Sequence, residues 1–124
     1  MADLKLGKVN SIENFLNYLI DARTCLHLHH WSENSYAKHV ALEEIYTELL
    51  ELLDQLVETE QVNRKLTLQS NGGKINSDSI TYVQEVLNYV RKYRSIFPHS
   101  FQQNILDEIE ALLSKGIYKL KFLQ

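Results

Sequence analysis

The sequence is poor in residues that cross-link, break or flex a chain. Its 124 residues include one cysteine, one proline and four glycines. The single Cys25 excludes an internal disulfide framework and suits a reducing compartment. No apolar run approaches the roughly 20 residues of a membrane span, and the N-terminus lacks the apolar segment of a signal peptide. We therefore expect a cytoplasmic protein of one domain that has no membrane partner.

Several catalytic and binding signatures are also missing. No glycine-rich phosphate loop precedes a helix, and there is neither a serine nucleophile elbow nor a CxxC pair. The formal net charge is −3, and acidic and basic residues are interspersed. This balance argues against a protein whose main task is to wrap nucleic acid. DNA is accordingly not an expected partner.

Long segments without glycine or proline indicate helices instead. The predicted helices cover residues 11–31, 35–65, 77–97 and 100–121. A short polar turn should join the first two as an antiparallel hairpin. The prediction is an all-α, four-helix bundle in one domain, with a short middle connection that contains Gly72 and Gly73.

The length of the middle connection leaves the topology open. Eleven extended residues, 66–76, reach at most about 36–40 Å. A ferritin-type bundle needs this connection to cross the whole bundle, which requires a nearly straight loop or an early end to the second helix. The other arrangement is a simple up-down-up-down bundle.

The second helix carries an unusual outer stripe beside its core-facing leucines. The stripe mixes apolar residues with metal-ligand residues at helical spacing: His39, Glu43, Tyr46, Leu50, Asp54, Val57 and Glu58. At about 1.5 Å per residue, its two ends lie roughly 28 Å apart, so one ion cannot contact both ends. Acidic residues at this spacing are also common on solvated helix faces.

A second copy of the helix would bring ligands from opposite ends of the stripe close together. If an identical helix lies antiparallel across a two-fold axis, His39 faces Glu58 in the same register in which Glu43 faces Asp54. A two-fold interface is self-complementary in this way. The spacing therefore predicts a homodimer with two symmetric nitrogen and oxygen sites, each built from both subunits.

The hairpin adds another candidate ligand. His30, in the last turn of the first helix, should lie near His39, whereas His29 should point elsewhere and be solvent-exposed. Two histidines with carboxylates form a mixed ligand set that suits iron, zinc or manganese.

The segment from residue 30 to residue 59 resembles the Dps family of miniature ferritins. The resemblance rests on the His-Trp pair His30-Trp31, on HxxxEExY (His39, Glu43, Glu44, Tyr46) and on DxLxE (Asp54, Leu56, Glu58). It implies a ferritin-like bundle that binds and oxidises Fe(II) at sites on a subunit two-fold. It also implies that one subunit supplies His30, His39 and Glu43, and that its partner supplies Asp54 and Glu58.

The resemblance covers about a quarter of the chain. The turn after His30 is shorter than the family's, and the middle connection has no room for the extra helix that many members carry. The homodimer is the assembly that the residues support, with a larger shell left open. Lys5 and Lys8 match the family's lysine-rich DNA-binding tail poorly.

Two other functions fit the sequence. A metal-free helical interaction module would use the outer stripe as a dimer face or as a surface for another protein. A HEPN-type RNase is suggested by Arg94 and His99, which match an RxxxxH pattern at the start of the last helix. Whether the protein acts as a ferroxidase or only binds metal is also left open at this point.

Overall fold

The computed structural model describes the backbone of residues 3–122 and the side chains of residues 12–122. It contains four α-helices: α1 (Asp3–Ser32), α2 (Tyr36–Glu60), α3 (Ser79–Tyr93) and α4 (Ser100–Phe122). A single 3-10 turn, Arg94–Ile96, extends α3. The described residues contain no β-strand, which confirms the prediction of an all-α, four-helix bundle. None of the described helices combines the length and apolarity needed to cross a membrane.

Three helices have boundaries that differ from the predicted ones by more than one residue. The first helix begins at Asp3, well before residue 11, and α2 ends at Glu60 rather than near residue 65. The third helix is shorter at both ends than the predicted 77–97. The early end of α2 has a visible cause, because Leu66 is buried in the core and its N–H donates to the Gln61 side chain. Burial of this leucine requires the chain to depart from the helical path after Glu60.

Helices α1 and α2 form the predicted hairpin. The Glu33 carboxylate accepts the N–H groups of Asn34 and Ser35 at 3.1 Å each, which closes the turn. Ser35 then caps α2 by accepting the N–H of Lys38. The side-chain caps satisfy N–H groups that have no partner within the helix.

The connection between α2 and α3 crosses the bundle along α1. Three backbone N–H groups of this crossover segment (residues 61–78) donate to side chains at successive turns of α1: Thr67 to Glu13, Gln69 to Asn17, and Asn71 to Asp21. Further along, the Cys25 thiol donates to the Lys74 carbonyl, and a Cβ on Gly73 would lie 2.8 Å from the Cys25 backbone nitrogen. The segment therefore needs glycine where it passes closest to α1.

The side-chain contacts fix the direction of every helix. Near the start of α3, Tyr82 stacks on His29 of α1, while beyond its end Phe97 contacts Phe15, so α3 runs antiparallel to α1. Helix α4 runs antiparallel to α2: the Lys119 ammonium contacts Glu44, and Gln102 donates to Glu60. Helices α1 and α4 are thus parallel to each other, and α2 and α3 run in the opposite direction. Of the two topologies that the sequence left open, the structure has the crossover.

Candidate metal centre

Two histidines lie together where α1 ends and α2 begins. His30 is buried and His39 is half-buried. Their rings stack with centroids 3.6 Å apart. The Nδ1 atom of His30 lies 2.7 Å from the His39 carbonyl oxygen, and the Nδ1 atom of His39 lies 2.7 Å from the His30 carbonyl oxygen. We call this reciprocal pair the histidine clamp.

The clamp determines which ring nitrogens carry hydrogen. A carbonyl oxygen can only accept a hydrogen bond, so each Nδ1 must be the donor. In a neutral imidazole, the other nitrogen, Nε2, then keeps its lone pair. Metal-binding histidines are commonly oriented by such a bond from the non-ligating nitrogen. With neutral rings, each histidine of the clamp would therefore have a free Nε2 lone pair.

Glu43 supplies an oxygen beside this pair. One of its carboxylate oxygens, Oε1, lies 3.6 Å from Nε2 of His30. Two ligand atoms that are each about 2.1 Å from a tetrahedral metal ion lie roughly 3.4 Å apart. The observed spacing is too long for a hydrogen bond and is close to that of two ligands of one cation.

The other two predicted ligands are elsewhere. Asp54 and Glu58 are exposed on the same helix, and Asp54 is displaced from Glu43 by roughly 16 Å along the axis. Among the side chains that the structure describes, no group of three or more in a single chain is placed to hold a metal ion. The structure thus brings together His30, His39 and Glu43 and leaves Asp54 and Glu58 apart.

An aromatic cluster lies behind the clamp. The buried Tyr46 ring meets His30 edge-on at 5.4 Å and stacks on His27 at 4.2 Å. His27 in turn lies 3.9 Å from the ring of Trp31, and the Arg23 guanidinium lies 5.3 Å from the Tyr46 centroid. Burial and the neighbouring Arg23 charge lower the pKa of His27. Neither Arg23 nor His27 is among the ligands predicted from the sequence.

The prediction that His29 is solvent-exposed is wrong. Its side chain is 6% exposed, stacks on Tyr82, and has an Nε2 atom with no hydrogen-bond partner among the described residues. The crossover is the cause, because it brings the start of α3 against the end of α1. Burial lowers the pKa of His29.

This burial predicts a pH-dependent stability. An unfolded histidine titrates near pH 6.5, and the folded His29 titrates lower, so acid protonates the unfolded state first. The free energy of unfolding should therefore fall as the pH drops below about 7, by at most about 1.4 kcal/mol per pH unit from this group. Urea unfolding at pH 7.5, 6.5 and 5.5 measures the fall. In His29→Phe, which keeps a ring against Tyr82, the fall should be smaller; equal slopes would contradict the assignment.

Arg94 and His99, the residues that suggested an RNase, form contacts within the fold. The Arg94 guanidinium donates to Asp107, Glu110 and Gln103, and the two carboxylates raise its pKa despite partial burial. His99 is exposed, and its carbonyl accepts the N–H groups of Gln102 and Gln103 at the start of α4. The side-chain contacts account for Arg94 without catalysis, whereas the His99 contacts involve only its backbone carbonyl.

Comparison with known proteins gives a family but no activity. A family model described as a family of unknown function, DUF5856, matches residues 30–120, a range that contains all five predicted metal ligands. A protein of Enterobacteria phage T4, described as an uncharacterized 14.6 kDa protein in the mobD-ri intergenic region, is 27% identical over 117 residues. The alignment covers 92% of this chain and 91% of the phage protein. No solved structure matches the chain. Because the family model spans most of its length, the chain belongs to the DUF5856 family.

Proposed function

We propose that the protein is a Dps-like, ferritin-like iron protein that binds Fe(II) at sites shared across the two-fold axis of a homodimer. The observation that carries the proposal is the histidine clamp beside Glu43. It places two imidazole rings and one carboxylate where α1 ends and α2 begins. Asp54 and Glu58 of a second copy would complete each site.

The fold supports the same assignment. Ferritin-like bundles contain one long crossover connection, and their metal sites are built from side chains on facing helices. The crossover segment gives this chain such a connection, along α1. Here the connection carries no helix of its own.

The outer face of α2 supports a second copy as the partner. Val40 and Leu50 are 43% and 45% exposed on this face, although neither was used to derive the dimer register. In that register, Val40 lies at the level of Val57 of the second copy, and Leu50 lies at the level of Thr47. Val40 of one copy would therefore contact Val57 of the other when the carboxylates reach the clamp.

Each group has a defined part in the proposed chemistry. Fe(II) is the substrate, and dioxygen would accept its electron. His30 and His39 would bind the ion through Nε2, Asp54 and Glu58 would bind or bridge ions through their carboxylates, and Glu43 would be a weaker ligand. Neutral nitrogen with several carboxylates is a ligand set that iron, zinc and manganese all accept.

Anaerobic titration with Fe(II), followed by oxygen, tests the proposal. Wild-type protein should take up iron and then develop a ferric absorbance, and the His39→Ala/Asp54→Ala variant should do neither. Parallel titrations with Zn(II) and Mn(II) would rank the metals. A wild-type protein that takes up no iron contradicts the proposal. If it is nevertheless a stable dimer, the metal-free interaction module becomes the better assignment.

A further inference from the structure

The outer face of α2 is strongly acidic. Glu43, Asp54 and Glu58 are all exposed there, and the side chain of Glu43 is 60% exposed. Within the described part of the chain, Asp54 and Glu58 form no ion pair, and Glu43 pairs only with His30.

The nearby lysines are engaged elsewhere. Lys115 and Lys119 of α4 contact the carboxylate of Glu44, which lies on the α4 side of α2. Arg23 lies over the Tyr46 ring, and Arg64 pairs with Glu60. No lysine or arginine among the described side chains therefore pairs with the carboxylates of the outer face.

Bringing two such faces together concentrates negative charge. In the antiparallel register, Glu43 of each chain lies at the level of Asp54 of the other, so acidic residues approach acidic residues twice in each dimer. Like charges at contact distance repel even at high dielectric, and more strongly as water is excluded. Val40 and Leu50 offer little apolar area against this repulsion, because each is already more than half covered.

We propose that divalent cations control the assembly of this protein: the metal-free chains repel one another across the α2 face, and ions bound at the two shared sites join them. The inference rests on the proposed function. His30 and Glu43 of one chain lie close enough to hold an ion between them, but no set of three described side chains in one chain is placed to complete the site. The bound ion then attracts Asp54 and Glu58 of a second copy and replaces repulsion by ligation at both sites.

Sedimentation of the full-length protein tests the proposal. The protein should sediment as a monomer in excess chelator and as a dimer after addition of Co(II), or of Fe(II) without oxygen. Excess chelator should reverse the change. Metal analysis of the same fractions should find about two or more ions per dimer.

Charge-neutral variants separate repulsion from ligation. Asp54→Asn/Glu58→Gln should dimerise in chelator about tenfold or more tightly than wild type, because the repulsion is gone. It should also lose its response to metal, because the carboxylate ligands are gone. Glu48→Gln/Glu108→Gln removes the same charge from the groove between α2 and α4, and it should behave like wild type.

The outcomes distinguish this inference from the proposed function. A wild-type protein that binds metal but is equally dimeric in chelator overturns control by cations and leaves the shared site intact. A neutral variant that dimerises no better than metal-free wild type also overturns it. A wild-type protein that retains no metal overturns the proposed function, and the inference fails with it.

Discussion

Mixing two inactive variants should restore metal binding. In the proposed dimer, each site takes His30 and His39 from one chain and Asp54 and Glu58 from the other. His39→Ala and Asp54→Ala should each lower metal affinity on the order of a hundredfold or more, because each removes a ligand from both sites. In a mixed dimer, however, the histidines of the Asp54→Ala chain meet the intact carboxylates of the His39→Ala chain, which gives one complete site.

The amount of restored binding is itself informative. Random pairing makes half of the dimers mixed, and one of their two sites is complete, so the mixture should recover about a quarter of the wild-type capacity. If bound cations drive assembly, complete sites favour mixed dimers, and recovery should rise towards about a half. The measurement is metal retained per chain after the variants are combined in chelator and then reloaded.

The control is a mixture that cannot complement. His30→Ala combined with His39→Ala should stay inactive, because neither chain supplies an intact clamp. If His39→Ala and Asp54→Ala together bind no more metal than either does alone, while wild type binds fully, the sites are not shared between subunits.

The sequence predicted the local features of the site well. The short polar turn after His30 required a tight hairpin, and that hairpin alone brings His30 and His39 together. Helical spacing also placed Glu43 on the side of α2 that the histidines face. The reciprocal Nδ1 bonds could not be predicted, because they depend on ring rotations and on the offset between two helix ends, which residue spacing does not specify.

The features that the sequence left open or predicted wrongly depend on contacts distant in sequence. The crossover segment donates hydrogen bonds to Glu13, Asn17 and Asp21, about fifty residues away in sequence. The composition of the segment does not indicate these partners. The early end of α2 follows from the burial of Leu66, a tertiary effect that overrides helix propensity. The exposure of His29 was predicted wrongly for the same reason, because its burial depends on the crossover, which brings the start of α3 against the end of α1.

Replacing either histidine of the clamp with phenylalanine should lower the free energy of unfolding by about 1–3 kcal/mol in metal-free protein. Phenylalanine keeps a stacked ring but loses the Nδ1 donor. The carbonyl of His30 lies in the last turn of α1, where it has no partner within the helix, so the ring of His39 caps it. The ring of His30 donates to the second helix in return.

The double variant tests whether the clamp acts as one unit. Each hydrogen bond holds the ring geometry that the other needs, so His30→Phe/His39→Phe should cost clearly less than the two single changes added together. Urea unfolding at pH 7.5 in chelator measures the free energy of unfolding of the two single variants and the double variant. The control is His27→Phe, which keeps a ring between Tyr46 and Trp31. Its free energy of unfolding should stay within about 0.5 kcal/mol of the wild-type value. Additive losses would mean that the two rings are held independently, and then the nitrogen ligands would not be prepared before metal arrives.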